Sequence, residues 1–331
     1  MALTRRDLIR TGVTLGIAAT AVPMGTATAD DFTIWDTDSW GARPPAEPVA
    51  LLDHPPTFIV VHHTATPNTT DLSRPHAFKL SRAIQNYHMD RRGWIDSGQQ
   101  FTNSRGGHVT EGRHGSLDAV RTGHTHVQGA NVANRNREVV GIENEGMYVT
   151  DEMPEQQWAA LVELVTFIAR EYGVKPGQIR GHRDFSSTQC PGDTLYRRLP
   201  ELRSTVGERL AQPVVEPETW PLLRPGDTGA RVLAAQHLLR DRGEDLPTDG
   251  VFGPATFTAM ARYATRAGLA AETCYGTATD DESGFIGAAA WPALVRRVDP
   301  ADGSDAARAA RALGSGPAVV DSRDWRILLD G

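Results

Sequence analysis

The chain has 331 residues, 40% hydrophobic and 23% charged, with a formal net charge of −7. Such a length and balance exclude a wholly disordered chain and leave room for two domains, each with its own core. The acidic balance also argues against a nucleic-acid partner, since phosphate binding relies on a basic surface.

Residues 1–29 read as a targeting segment. The twin arginines Arg5 and Arg6 of "TRRDLIR" precede a mildly apolar stretch, Thr11 to Val22, and Ala27-Thr28-Ala29 supplies a small-residue cleavage site. The apolar stretch is too short, and too rich in Thr and Gly, to anchor the chain in a bilayer. A twin-arginine-type exported protein, secreted or in the cell wall and without a membrane span, is therefore expected. Cleavage removes three arginines and one aspartate, taking the formal charge from −7 to −9.

An α/β pattern follows. Phe58 to Val61 and Val139 to Ile142 are continuous apolar runs of the kind that form buried strands, and Ile179 to His182 is a shorter candidate. Phe78, Ile84, Tyr87 and His88 predict a helix that ends before Gly93. From Pro154 to Tyr172, Trp158, Leu161, Val162, Val165, Ile168 and Tyr172 form a stripe of helical period, opened by proline and closed by Gly173. A central sheet flanked by helices is the economical fold. The proline-rich "AQPVVEPETWP", residues 211–221, reads as an extended linker between independently folding parts. Beyond it, helical spacing at Val232, Leu233, Gln236 and Leu239, an Asp249-Gly250 turn and a helix start at Pro254 predict a small helical domain. Residues 297–331 are rich in Ala, Asp and Gly and carry no functional signal.

Chemistry concentrates in three places. In "FIVVHHTA" a buried strand ends in paired histidines, and in "GHRDFSSTQCPG" His182 stands eight residues ahead of Cys190. A catalytic zinc takes three ligands from His, Cys and carboxylate and keeps a fourth position open. The spacing alone leaves two readings: a metal site at His62, His182 and Cys190, or ordinary hydrogen-bonded histidines beside a structural cysteine. A disulfide to Cys274, the other cysteine, is a further reading. The third place is Glu143 in "GIENEG", a carboxylate in an otherwise apolar strand. It is suited to shuttling a proton or to closing a strand-end ion pair.

Six ordered stretches, "FIVVHHTA", "YHMDRRGWIDSGQQF", "VTEGR", "HVQGAN", "VGIENEG" and "GHRDFSSTQCPGD", together resemble the zinc-dependent N-acetylmuramoyl-L-alanine amidases. That family includes the peptidoglycan recognition proteins and phage lysozyme-type amidases. The resemblance covers roughly residues 35–205. It implies the amidase fold, an α/β structure with a mixed central sheet flanked by helices. It also implies one Zn2+ held by His62, His182 and Cys190, with His63 a neighbour on the substrate side rather than a ligand. Glu143 is the implied general base and Thr188 lies at the oxyanion position. His126 is an implied pocket residue.

One departure stands out. Many relatives carry D-x-G-Y, whose Tyr approaches the metal-bound water, whereas this chain has Asp96-Ser97-Gly98-Gln99. Gln99 can hydrogen-bond a water or substrate but cannot exchange a proton. The implied activity is cleavage of the amide between the muramic acid lactyl group and L-Ala; the alternative is a non-catalytic peptidoglycan recognition protein. Residues 222–296 resemble the small three-helix peptidoglycan-binding domain of wall hydrolases, with an insertion around Glu272 to Gly284. A monomer whose partner is peptidoglycan is expected.

Overall fold

The computed structural model describes residues 32–269 and 281–330. The predicted targeting segment, Cys274 and most of the predicted insertion lie outside the described residues. From Thr33 onward the described chain forms one compact unit, built around two large apolar cores.

Among the described residues there are eight strands: β1 (Ile34–Trp35), β2 (Leu51–Leu52), β3 (Phe58–His63), β4 (Phe101–Asn103), β5 (Val109–Glu111), β6 (His126–Val127), β7 (Val139–Asn144) and β8 (Ile179–Gly181). Six form one sheet in the order β1-β5-β4-β7-β3-β8, and β2 pairs with β6 separately. The pairs β4/β7, β7/β3 and β3/β8 are parallel while β4/β5 is antiparallel, so the sheet is mixed, as expected.

Registration decides which side chains share a face, because alternate residues of a strand point to opposite sides. Ile59, Val61, Phe101, Val140, Ile142 and Ile179 face one way and pack in the first core. Helix α4 (Glu155–Tyr172) and helix α6 (Leu199–Leu210) cover that side with Leu161, Val165, Ile168, Leu202 and Val206. Helix α4 begins after Pro154 and ends at Gly173, whose φ of 68° suits glycine. The opposite face is covered unevenly. Helix α2 (Arg74–Asp90), capped by Ser73, sits over β5, where Ser81 Oγ lies 2.7 Å from Thr110 Oγ1. A small cluster of Val60, Val132 and Val139, with Phe58 and Phe185, covers the amino ends of β3 and β7. Their carboxyl ends on this face carry polar residues. Short helices α1 (Thr37–Trp40), α3 (Ser116–Thr122) and α5 (Asp193–Arg197) complete this half.

Residues 212–222 contain no helix or strand, and ion pairs tie the segment at Glu216 to Arg203 and at Glu218 to Arg326. After it come α7 (Ala230–Asp241), α8 (Pro254–Ala267) and α9 (Trp291–Leu294), the three helices expected for 222–296. The Asp249-Gly250 turn is held by Gln236, whose Nε2 donates to Asp249 Oδ1 and whose Oε1 accepts from the Gly250 amide, both at 2.8 Å. The second core does not stop at residue 296. Helices α10 (Asp305–Ala312) and α11 (Ser322–Asp330) bury Ala306, Ala310, Trp325 and Leu329 against α7 and its neighbours. Trp325 is fully buried and its indole N–H donates to the Arg296 carbonyl at 2.7 Å. Composition hid this, because an alanine-rich face packs closely without standing out as apolar.

The tail is thus a structural part of the second core. Trp325→Ala is expected to destabilise the protein by about 3 to 5 kcal/mol, the usual scale for emptying a buried tryptophan site. Denaturant unfolding followed by far-UV circular dichroism checks it, and an unchanged midpoint would mean the tail merely rests on the surface.

Candidate metal centre

The parallel register builds a polar row across the sheet. Thr102 of β4 is paired with Glu143 of β7, and Glu143 with His62 of β3. Paired residues of neighbouring strands point to the same face about 4.8 Å apart. The last β3/β8 pair is Val61↔Gly181, so the residue that follows β8, His182, comes level with the same row. The His62 and His182 rings are 4.6 Å apart between centroids. Cys190 arrives from the loop beyond His182, with its Sγ 3.7 Å from His62 Nδ1. One donor atom from each of His62, His182 and Cys190 lies within 4.8 Å of the others, and all three residues are buried.

These donors fit a tetrahedral ion. Zinc bonds of roughly 2.3 Å to sulfur and 2.0 Å to nitrogen place N and S roughly 3.5 Å apart across a tetrahedral angle. The 3.7 Å between His62 Nδ1 and Cys190 Sγ matches that separation. Soft thiolate with two imidazoles is a donor set suited to zinc.

The surroundings hold each donor in place. Asn144 Nδ2 donates to the His62 carbonyl at 2.8 Å, and Asn103 supports Asn144 at 2.9 Å. The His63 amide points at Cys190 Sγ from 3.4 Å, a contact that favours charge on sulfur. Thr188 Oγ1 accepts from the Cys190 amide at 3.1 Å. The Arg183 amide donates to the Cys190 carbonyl at 3.0 Å, so the His182 turn and the cysteine loop clasp each other. Asp184 accepts from the Gly181 amide at 2.9 Å and from Tyr196 at 2.5 Å, and burial pushes its carboxyl up. Gly192 closes the loop at φ 93°, where a β-carbon would overlap the Tyr148 carbonyl. No other residue type fits there.

The structure distributes the remaining expected residues unevenly. Glu143 stands beside His62 on the row. Thr188 meets Cys190 through its hydroxyl. Gln99 flanks the row, with its Nε2 donating to Thr102 Oγ1 at 2.9 Å. His63 projects from the opposite face of β3, where its Nδ1 accepts from the Tyr148 amide at 3.3 Å. Its side chain therefore lies behind the sheet rather than on the substrate side, and it meets the centre through its backbone. His126 belongs to the separate two-stranded sheet, and its Nδ1 lies 2.7 Å from the His54 carbonyl. Burial lowers its pKa.

Thr102 was not visible from sequence. Only the pairing of β4 with β7 sets this short-strand threonine, which accepts from Gln99, beside Glu143. Gly141, two residues before Glu143 on the same face, admits Asn131, whose Oδ1 would lie 2.5 Å from a β-carbon there. Asn131 Nδ2 donates to the Gly98 carbonyl at 3.1 Å, fixing the loop that carries Gln99.

That loop rests on a buried, uncharged histidine. The Gly98 amide donates to His88 Nδ1 at 3.0 Å. Burial, reinforced by Arg113 and Arg92, pushes the His88 pKa down to about 3. Beside it, burial alone would raise the Asp96 carboxyl, but hydrogen bonds from His114, Gln85 and Ser97 hold it below its ordinary range.

The same stretch of chain is shared with known proteins. The N-acetylmuramoyl-L-alanine amidase family pattern matches residues 52–193. A human N-acetylmuramoyl-L-alanine amidase is 33% identical over 186 residues, covering 53% of this chain and 30% of that protein. Peptidoglycan-recognition protein SC2 of Drosophila melanogaster is 30% identical over 168 residues, covering 50% of this chain and 84% of its own length. A solved structure of wild-type Drosophila PGRP-LB shares 28% identity and a TM-score of 0.44, covering 50% of this chain and 92% of that one. The chain belongs to the family of N-acetylmuramoyl-L-alanine amidases and peptidoglycan-recognition proteins.

The His88 environment sets a pH dependence. Unfolded, His88 takes up a proton near the ordinary histidine value of 6.5, whereas the folded protein resists protonation down to about 3. The unfolded chain thus takes up more protons between those values, and stability falls as pH drops through that window. Thermal midpoints measured from pH 7 to 4 are expected to decline, with a shallower slope in His88→Gln. Parallel slopes would place the acid-sensitive group elsewhere.

Proposed function

We propose that this chain is a secreted zinc hydrolase that cleaves the amide between the N-acetylmuramic acid lactyl group and L-alanine of peptidoglycan. One observation carries the reading: His62, His182 and Cys190 converge within 4.8 Å, with Glu143 beside His62 on the same sheet face. His62, His182 and Cys190 would hold the ion. Zinc in such a site supplies Lewis acidity to the scissile carbonyl and to the attacking water.

The protein's own groups supply the rest. Glu143 takes a proton from the attacking water at a carboxylate oxygen and returns it to the departing L-Ala nitrogen, so one group serves as base and then as acid. The thiolate of Cys190 donates charge and tempers the Lewis acidity, which makes that carboxylate more important. Thr188 holds the cysteine loop. Gln99 orients a water or substrate by hydrogen bonding through Thr102 but moves no proton. The helical half from residue 222 tethers the enzyme to its insoluble polymer, raising the local concentration of substrate. Among the described residues no helix is long and apolar enough to cross a membrane.

The missing tyrosine favours a second reading, a peptidoglycan receptor that keeps the cleft without hydrolysis. Metal analysis paired with an assay for new L-Ala amino termini from soluble muropeptide separates the two. Wild type is expected to hold one zinc and to release amino termini. His62→Ala, His182→Ala and Cys190→Ala each lose tight zinc binding. Glu143→Gln keeps the zinc and lowers turnover by roughly 10²- to 10⁴-fold, the scale of losing a general base. Zinc bound without any hydrolysis by wild type would establish the receptor reading.

Export is proposed on the twin arginines. Replacing Arg5 and Arg6 by Lys is expected to trap the protein inside the cell, as judged by immunoblotting of medium and cell fractions. Normal secretion of that variant would point to the general route.

A further inference from the structure

The loop that delivers Cys190 is gripped from two sides, and one side belongs to the helical half of the chain. Within the amidase half, Arg183 donates to the Gln189 carbonyl and pairs with Asp193 Oδ1 at 2.9 Å. From beyond the linker, buried Glu282 accepts the Gln189 amide through Oε1 at 3.1 Å. Arg224 pairs with the other oxygen of Asp193 and reaches the Gln189 side-chain carbonyl at 3.5 Å. The Gly287 amide donates to Ser187 Oγ at 3.1 Å, and the backbones approach so closely that a β-carbon on Gly287 would lie 2.9 Å from Ser187 Cα. The residue immediately before the cysteine ligand thus has its N–H fixed by one half of the molecule and its carbonyl by the other.

We propose that the helical half is a built-in clamp for the metal site, with Glu282 a positioning residue that holds Cys190 in ligating geometry through Gln189. The inference rests on the metal reading and goes beyond it, giving the half assigned to wall tethering a duty inside the catalytic centre. The physical ground is that a ligand on a loop is only as fixed as its supports. Outer partners of metal ligands typically account for 10- to 100-fold in metal affinity. A buried carboxyl oxygen that accepts a backbone N–H cannot let it go without leaving both groups unpaired away from water. It acts here on the residue adjacent to a donor atom.

The test uses the full-length protein. Zinc transfer to a chromogenic chelator is timed for wild type, Glu282→Ala, Glu282→Gln and Arg224→Met, with circular dichroism confirming the fold of each. Amide hydrogen exchange over residues 186–193 is measured alongside on metal-free protein. Glu282→Ala is expected to release zinc about 10-fold faster and to exchange faster across 186–193. Glu282→Gln, which keeps an acceptor oxygen for the Gln189 amide, stays close to wild type. Arg224→Met supplies an independent route to the same loosening if Glu282→Ala fails to fold. Zinc release and exchange both at wild-type rates in Glu282→Ala and Arg224→Met would overturn the clamp. A wild type that holds no zinc would instead sink the metal reading. The exchange measurement would then still decide whether the helical half restrains the loop.

Discussion

The site depends on the parallel pairing of β4, β7, β3 and β8. Each of these strands contributes little alone, but their register aligns Thr102, Glu143 and His62 in one row and lets His182 follow at its end. A shift of β4 or β7 by one residue would turn Thr102 or Glu143 to the far side of the sheet. The same register sends Ile59, Val61 and Ile142 into the main core. Core packing and ligand placement are therefore one constraint. The apolar side supplies the free energy that holds the polar side in line.

Polar groups in the row are deeply buried, which is costly unless each is provided for. Part of the provision comes from backbone and amide groups. Asn144 and Asn103 hold the β3 end, the His63 amide addresses the sulfur, and Thr188 takes the cysteine amide. Neutral groups of this kind fix the geometry of the strand end and of the cysteine loop. Farther out the protein changes tactics, and the cysteine loop is braced by the Arg183–Asp193–Arg224 chain of charges.

Much of this was legible in the sequence, for definite reasons. The apolar runs at Phe58 and Val139, and the helical stripe after Pro154, are local signals, and each element formed within a few residues of its expected bounds. His62, His182 and Cys190 were legible through the six ordered motifs that carry the family resemblance, their spacing alone leaving a structural reading open. Thr102 and the facing of His63 were not legible, since both follow from which strands pair. Periodicity within a strand says nothing about its neighbour. The grip of Glu282 and Arg224 on the cysteine loop was hidden for the same reason, the partners being 93 and 35 positions apart in the chain. The last two helices escaped notice because alanine-rich faces bury well while reading as bland.

The twin histidines of β3 have a consequence for how the strand finds its frame. Phe58, Ile59, Val60 and Val61 are apolar on both faces, and the two residues that follow are chemically identical. The strand is thus nearly frame-degenerate: displaced by one position, it would still offer oil to both sides and an imidazole to the cleft. What breaks the tie lies just past it. The Thr64 amide donates to the Asn144 carbonyl, and Thr64 Oγ1 accepts from the Gly146 amide, each at 2.8 Å. With the Asn144 contact to the His62 carbonyl, these bonds act as a polar latch that reads position where hydrophobicity cannot. Choosing which histidine joins the row beside Glu143 thus falls to a threonine and an asparagine that lie outside the His62–His182–Cys190 group.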